Sequence, residues 1–220
     1  MYKHIKRFFD IIFSLFAILI LLPVFIPVIL LLLITGEHEV FYKQERVGYK
    51  NKIFDILKFA TMLKNSPNMG HGDMTMRGDS RITPVGKFLR QSKINELPQL
   101  FNIFSGEMSF VGPRPLMKVG FDRYSDEMKS KVYNVTPGLT GIGSIVFRDE
   151  ELIITQSKLS PQETYRDIIL PYKGRLEVWY QQHRNFYTDF MIMFLTAWCI
   201  VFSKSNLVYK VFPSLPKREF

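Results

Sequence analysis

Residues 11–35, IIFSLFAILILLPVFIPVILLLLIT, carry no charge, and polar residues return at once after them, so the pattern divides the chain near residue 36. As a straight helix the run would reach roughly 37 Å at 1.5 Å per residue, enough to cross a bilayer. Pro23 and Pro27 interrupt it; each removes a backbone donor and crowds the preceding turn, so a bend is expected between Leu22 and Pro27. Lys3, Lys6 and Arg7 precede the run, while Lys43, Arg46, Lys50 and Lys52 follow it. The positive-inside preference places both basic flanks on the cytoplasmic side. A straight span cannot satisfy that, whereas a re-entrant helix-break-helix over residues 1–36 can, provided backbone groups freed at the break find partners in the protein or near the headgroups. A cleaved signal peptide fits poorly, because the run exceeds an h-region and no A-x-A-like site follows.

Beyond residue 36 the periodicity changes. EVFYKQERVG and KIFDILKF alternate apolar and polar positions around a turn, which predicts two short strands. MLKNSPNMGHGDMTMRGDSRITP has little periodicity and reads as a loop. Val85, Phe88 and Leu89 form a helical stripe, and a further helix is expected from Asn95 to Gly106, with Asn95 as N-cap and Pro98 in the first turn. DRYSDEMKSKVYN, SPQETYRDIIL with Ser160 as cap, and GRLEVWYQQH predict later helices. FMIMFLTAWCIVF, Phe190 to Phe202, is too short to cross a bilayer unaided and suits an interfacial or a core helix. No internal repeat is visible.

Charge narrows the choice of partner. The chain holds 29 Lys+Arg against 20 Asp+Glu, a formal net charge of +9, which favours anionic partners: phosphates, acidic membrane lipids or nucleic acid. Nucleic acid is disfavoured because the basic residues gather around the apolar segment and Arg114 rather than along an aromatic platform. Cys199 is the only cysteine and lies in an apolar run, so no intrachain disulfide can form. His4, His38, His71 and His183 lack metal-ligand spacing.

The chemistry concentrates in SKINELPQLFNIFSGEMSFVGPRP, Ser92 to Pro115. A helix starting at Asn95 would point its first N–H groups at an anion. Arg90 lies just upstream and Arg114 sits between two prolines, and two arginines can grip a diphosphate through paired hydrogen bonds. Glu96 could hold Mg²⁺ against phosphate oxygens, since magnesium takes one or two carboxylates plus substrate phosphate. Taken singly, Asn95 reads as a helix cap and Glu96 as a partner of the helix dipole; their joint occurrence beside a basic loop and a membrane segment favours a phosphoryl-transfer centre. PGLTGIGS has its glycines in the wrong order for a dinucleotide fingerprint, and no Walker lysine accompanies them.

These stretches resemble the monotopic phosphoglycosyl transferases, or bacterial sugar transferases. The resemblance rests on KRFFD, the proline-broken apolar run, KQERVG, KIFDILKFATM, SRITPVGKFLRQSKINELPQLFNIFSGEMSFVGPRPL, TPGLTG and EVWYQQHRNFYTDFMIMFLTA, and extends to about residue 203. It implies an α+β, predominantly helical chain: the membrane hairpin (1–36), a small cytosolic catalytic domain with amphipathic interfacial helices (37–205) and a basic C-terminal tail (206–220). It also implies transfer of a sugar-1-phosphate from a UDP-sugar to undecaprenyl phosphate, or another polyprenol phosphate, with release of UMP at the cytoplasmic face of the bacterial inner membrane. By position Glu96 inherits the Mg²⁺ role, Arg90 and Arg114 the phosphate contacts, and Lys58 a place near the site; Asp189 matches another family acid. No residue names the sugar, and an oligomer is compatible with the aromatic content.

The chain departs from the family pattern at several places. Asn95 stands where the family's nucleophilic Asp is expected, and a neutral amide cannot form the usual acyl-phosphate. Ala60 replaces an Arg, Leu22 replaces a Ser before the hairpin proline, and GIGSIVFRDEE replaces an Ala-Gln-bearing loop. Three accounts follow. Another carboxylate serves as nucleophile, either Glu96 itself or one of Asp149, Glu150 and Glu151; or the polyprenol phosphate attacks the UDP-sugar directly; or the chain binds UDP-sugar as a catalytically impaired membrane scaffold.

Overall fold

The computed structural model describes residues 1–66, 69, 79–202, 205–218 and 220. The middle of the loop expected between Met62 and Pro84, and the Glu151 side chain, lie outside the described residues. The chain is a mostly helical α+β protein that forms two compact units, one of residues 11–44 and 55–105, the other of residues 1–10, 45–54 and 106–220.

Helix α1 (Tyr2–Ile34) is helical throughout, Pro23 and Pro27 included. The expected break is therefore not seen as a loss of helical conformation, and the two prolines are where the helix can bend. Proline's fixed φ is itself helical, so each ring deletes one hydrogen bond, to the Leu19 and Pro23 carbonyls, without forcing the chain out of the helix. In the first unit Phe25, Val28 and Leu32 of α1 pack with Phe59 and Leu89. Phe16, Leu19, Ile20, Ile26, Leu30 and Ile34 remain exposed. A helix apolar on its outward face as well as its packed one suits a lipid environment, and α1 is long and apolar enough to cross a membrane.

β1 (Phe41–Val47) and β2 (Ile53–Phe59) pair as a two-stranded sheet, as their alternation predicts. α2 (Pro84–Gln91) begins at a Thr83 cap that accepts the Gly86 N–H, with Pro84 in its first turn. Gly86 sits so close to the Thr61 carbonyl that a Cβ would collide with it, which lets α2 lie directly on the strand's extension. One expectation fails here. The next helix, α3, spans Gln99–Ser105, and Asn95 lies upstream in a 3₁₀ turn, Ile94–Glu96, that follows Lys93 in a left-handed conformation. The Lys93 and Ile94 carbonyls accept the Glu96 and Leu97 N–H groups at 3.1 Å each, the three-residue spacing of a 3₁₀ turn.

In the second unit β3 (Ser109–Val111) and β4 (Gly138–Thr140) pair in parallel, Ser109 opposite Gly138 and Val111 opposite Thr140. The crossover carries α4 (Lys118–Phe121) and α5 (Asp126–Val132). α6 (Ile142–Val146), α7 (Glu150–Gln156), α8 (Pro161–Glu163), a π-helical turn at Thr164–Ile169, α9 (Leu170–His183), α10 (Phe186–Val201) and α11 (Leu207–Val211) follow. α9 starts earlier than its glycine and proline indicated, because Pro171 and Gly174 both fit inside it. Its core face, Tyr172, Leu176 and Trp179, meets Ile142, Ile192 and Leu195; each fully buried residue of this kind contributes about 1.5–3 kcal/mol. The segment expected as a basic tail joins that core: Val208, Phe212 and Leu215 are buried and Arg218 pairs with Asp149. Burying those three apolar side chains holds the segment on the core while Lys210 and Lys217 stay exposed.

Candidate active site

The first unit holds Lys58, Arg90, Asn95 and Glu96. Lys58 projects from β2, whose backbone is held by a side chain rather than by a third strand. Buried Asn102 of α3 accepts the Leu57 N–H at 2.9 Å and donates to the Asp55 carbonyl at 2.7 Å. Its amide thus replaces a ladder rung on both sides of Ile56. Arg90 stands near the end of α2 and donates to the Thr61 hydroxyl at 3.3 Å. Burial lowers the Arg90 pKa, while the nearby charges of Asp79 and Glu96 oppose that shift. The structure therefore brings Arg90 and Glu96 within electrostatic reach of each other, as a phosphate-and-metal site would require.

Sequence reasoning missed the ion pair behind Arg90. Arg81 is buried and holds Asp79 at 2.7 Å, with further bonds from its Nη1 to the Ser66 and Met69 carbonyls at 2.9 and 3.0 Å. Only the RGDSR run, with its acid two residues before an arginine, offered a signal. Asn95 is buried, and its Oδ1 has no hydrogen-bond partner among the described residues. An unsatisfied buried acceptor is costly unless something supplies a donor or a cation. With the half-buried Glu96 next in the chain, the oxygen set suits Mg²⁺ completed by phosphate, which needs few protein ligands. Among the described residues, no group of three or more His, Cys, Asp or Glu side chains could hold a metal ion.

The second unit holds Arg114, Asp149, Glu150 and Asp189. Arg114 follows β3 in the GPRP turn with its side chain exposed. Both oxygens of Asp149 accept from Arg218, at 2.6 and 2.8 Å, and that guanidinium lowers the carboxyl pKa. Glu150 pairs with Lys173 at 2.6 Å. Asp189, buried in the first turn of α10, accepts from the Tyr2 hydroxyl and the Lys6 ammonium at 2.6 Å each and from the Tyr180 hydroxyl at 2.8 Å. These acids are thus tied into the fold by named donors. Glu177 of α9, a buried acid that sequence reasoning passed over, lies in this unit too.

An acid and an arginine beside a buried, unsatisfied amide, in a chain with a long apolar helix, make a candidate anion site. The bacterial sugar transferase family matches residues 1–203, and the chain belongs to that family. A relative from Aeromonas hydrophila, a UDP-N-acetylgalactosamine-undecaprenyl-phosphate N-acetylgalactosaminephosphotransferase, is 37% identical over 147 residues, 66% of this chain and 34% of its own. An undecaprenyl-phosphate glucose phosphotransferase from Komagataeibacter xylinus is 31% identical over 205 residues, 91% of this chain and 36% of its own. An undecaprenyl-phosphate galactose phosphotransferase from Salmonella typhimurium is 29% identical over 209 residues, 89% of this chain and 40% of its own. The chain thus spans two fifths or less of the length of these three relatives.

Proposed function

We propose that the protein transfers a sugar-1-phosphate from a UDP-sugar to undecaprenyl phosphate and releases UMP. The electrostatic proximity of Arg90 and Glu96, in a chain of this family, is the observation that carries the reading. Glu96 would hold Mg²⁺, whose chemistry is to neutralise charge on the phosphate oxygens. Arg90 and Arg114 each have the geometry of a phosphate binder, and Lys58 adds positive charge. A neutral Asn95 cannot accept the sugar phosphate covalently, and Asp149 and Glu150 are already ion-paired. Direct displacement fits these residues best. An acceptor phosphate oxygen forms a bond to the β-phosphorus, the bond from that phosphorus to the bridging oxygen breaks, and UMP leaves with the electron pair.

The membrane mode proposed for α1 is re-entrant, with both basic flanks on the cytoplasmic side of the inner membrane. α10 would lie in the interface, since Phe186, Tyr187, Phe190, Phe194, Ile200 and Val201 are exposed. Cysteines introduced at Lys3 and His38 of a Cys199→Ser background should react with an impermeant reagent from the same side; labelling from opposite sides would mean a span.

The reaction is tested by UMP release with Mg²⁺, undecaprenyl phosphate and a panel of UDP-sugars. UMP should form with at least one donor, and Glu96→Gln should abolish it. A phosphosugar adduct in intact-protein mass spectra would exclude direct displacement. Binding of a UDP-sugar without UMP release from any donor would support the second reading, an impaired binding scaffold, which Asn95 favours.

A further inference from the structure

The turn that carries Arg114 has no loose peptide group. Pro113 and Pro115 have no N–H, and every other backbone donor and acceptor from Pro113 to Leu116 is bonded within the protein. The Pro113 carbonyl accepts from the Gly138 N–H at 2.9 Å, and the Leu116 carbonyl from the Val47 N–H at 2.8 Å. Side chains supply the rest. The Tyr133 hydroxyl donates to the Arg114 carbonyl at 2.9 Å and accepts the Leu116 N–H at 2.8 Å, Arg46 donates to the Pro115 carbonyl at 3.2 Å, and the Glu177 carboxyl accepts the Arg114 N–H. Tyr133 and Glu177 are buried, yet the Arg114 side chain they underpin is exposed.

We propose that Glu177 and Tyr133 are positioning residues that clamp the Arg114 peptide from its two ends and so aim the exposed guanidinium at the phosphates of a nucleoside diphosphate. This rests on the reading of Arg114 as a phosphate contact. Packing alone accounts poorly for an acid at position 177. Glu177 Oε2 has no hydrogen-bond partner among the described residues, and its Oε1 lies 2.5 Å from where a Cβ on Gly143 would stand, so room for the carboxyl depends on a glycine. Burial raises the Glu177 pKa to about 8 against the pull of Lys173 and the Arg114 N–H. A buried acid of this kind is disfavoured unless its acceptor is used, and the Arg114 peptide uses it.

The test titrates the full chain in detergent with UDP and Mg²⁺, and follows amide exchange over residues 112–116. Arg114→Ala should weaken UDP binding about tenfold, the scale of a lost charged hydrogen bond. Glu177→Leu should weaken it by a similar factor and speed exchange of the Arg114 amide, whereas Glu177→Gln, which keeps an acceptor oxygen, should restore most of the loss. The Glu177→Leu/Arg114→Ala pair should bind no more weakly than Arg114→Ala alone. Full additivity, or wild-type UDP affinity in Glu177→Leu, would overturn the clamp while leaving the phosphate role of Arg114 intact. Wild-type affinity in Arg114→Ala would overturn both. Should Glu177→Leu fail to fold, Tyr133→Phe removes the clamp from the carbonyl side and should show the same loss and the same non-additivity.

Discussion

Replacing Asp189 by Asn separates a structural acid from a substrate-binding one. The carboxylate collects three donors at 2.6, 2.6 and 2.8 Å, and in its ion pair with Lys6 the side chains are only 17% and 9% exposed. Asn has nearly the same shape but carries no charge and has one acceptor oxygen in place of two. Breaking such a pair from one side costs about 3–5 kcal/mol, because a buried charge is left uncompensated. For a chain of this size each kcal/mol corresponds to roughly 2–4 °C, so the transition should fall by roughly 6–20 °C. Thermal unfolding of the detergent-purified protein, followed by intrinsic fluorescence, measures it. Lys6→Met should produce a comparable drop, and the double variant should fall well short of the sum of the two. The Michaelis constant for the UDP-sugar should stay near the wild-type value below the transition. An Asp189→Asn protein that melts like wild type but loses activity would refute the structural assignment.

Asn102→Ala should destabilise the protein by roughly 2–5 kcal/mol, since it orphans both the Leu57 N–H and the Asp55 carbonyl; chemical denaturation checks the size. The raised Glu177 pKa sets a pH dependence. The folded state keeps a proton that the unfolded chain, near its ordinary 4.5, has released, so stability should fall as pH rises from about 4.5 to about 8 and level off above. Glu177→Gln should remove that slope and melt higher than wild type at pH 8, read from melting curves at several pH values. Asn95→Asp should create a group able to take the sugar phosphate covalently, seen as an adduct in intact-protein mass spectra with donor alone, and should lower stability because a second acid is buried beside Glu96.

Local pattern was enough for the parts of this protein that depend on near neighbours in the chain. An uncharged run of helical length, the alternation on either side of Gly48 and the Ser160 cap are all set by residues a few places apart. The 3₁₀ turn at Asn95 was not legible in that way, because a helix capped at Asn95 tolerates Pro98 in its first turn equally well. What tertiary structure alone decided involves partners far apart in sequence. Asp189 belongs to Tyr2 and Lys6, Asp149 to Arg218, and the Arg114 turn to Tyr133, Arg46 and Glu177. A carboxylate reads the same in sequence whether it faces solvent, phosphate or a buried arginine. Its role follows from desolvation and from the donors that packing brings to it, and those depend on how the whole chain closes around it.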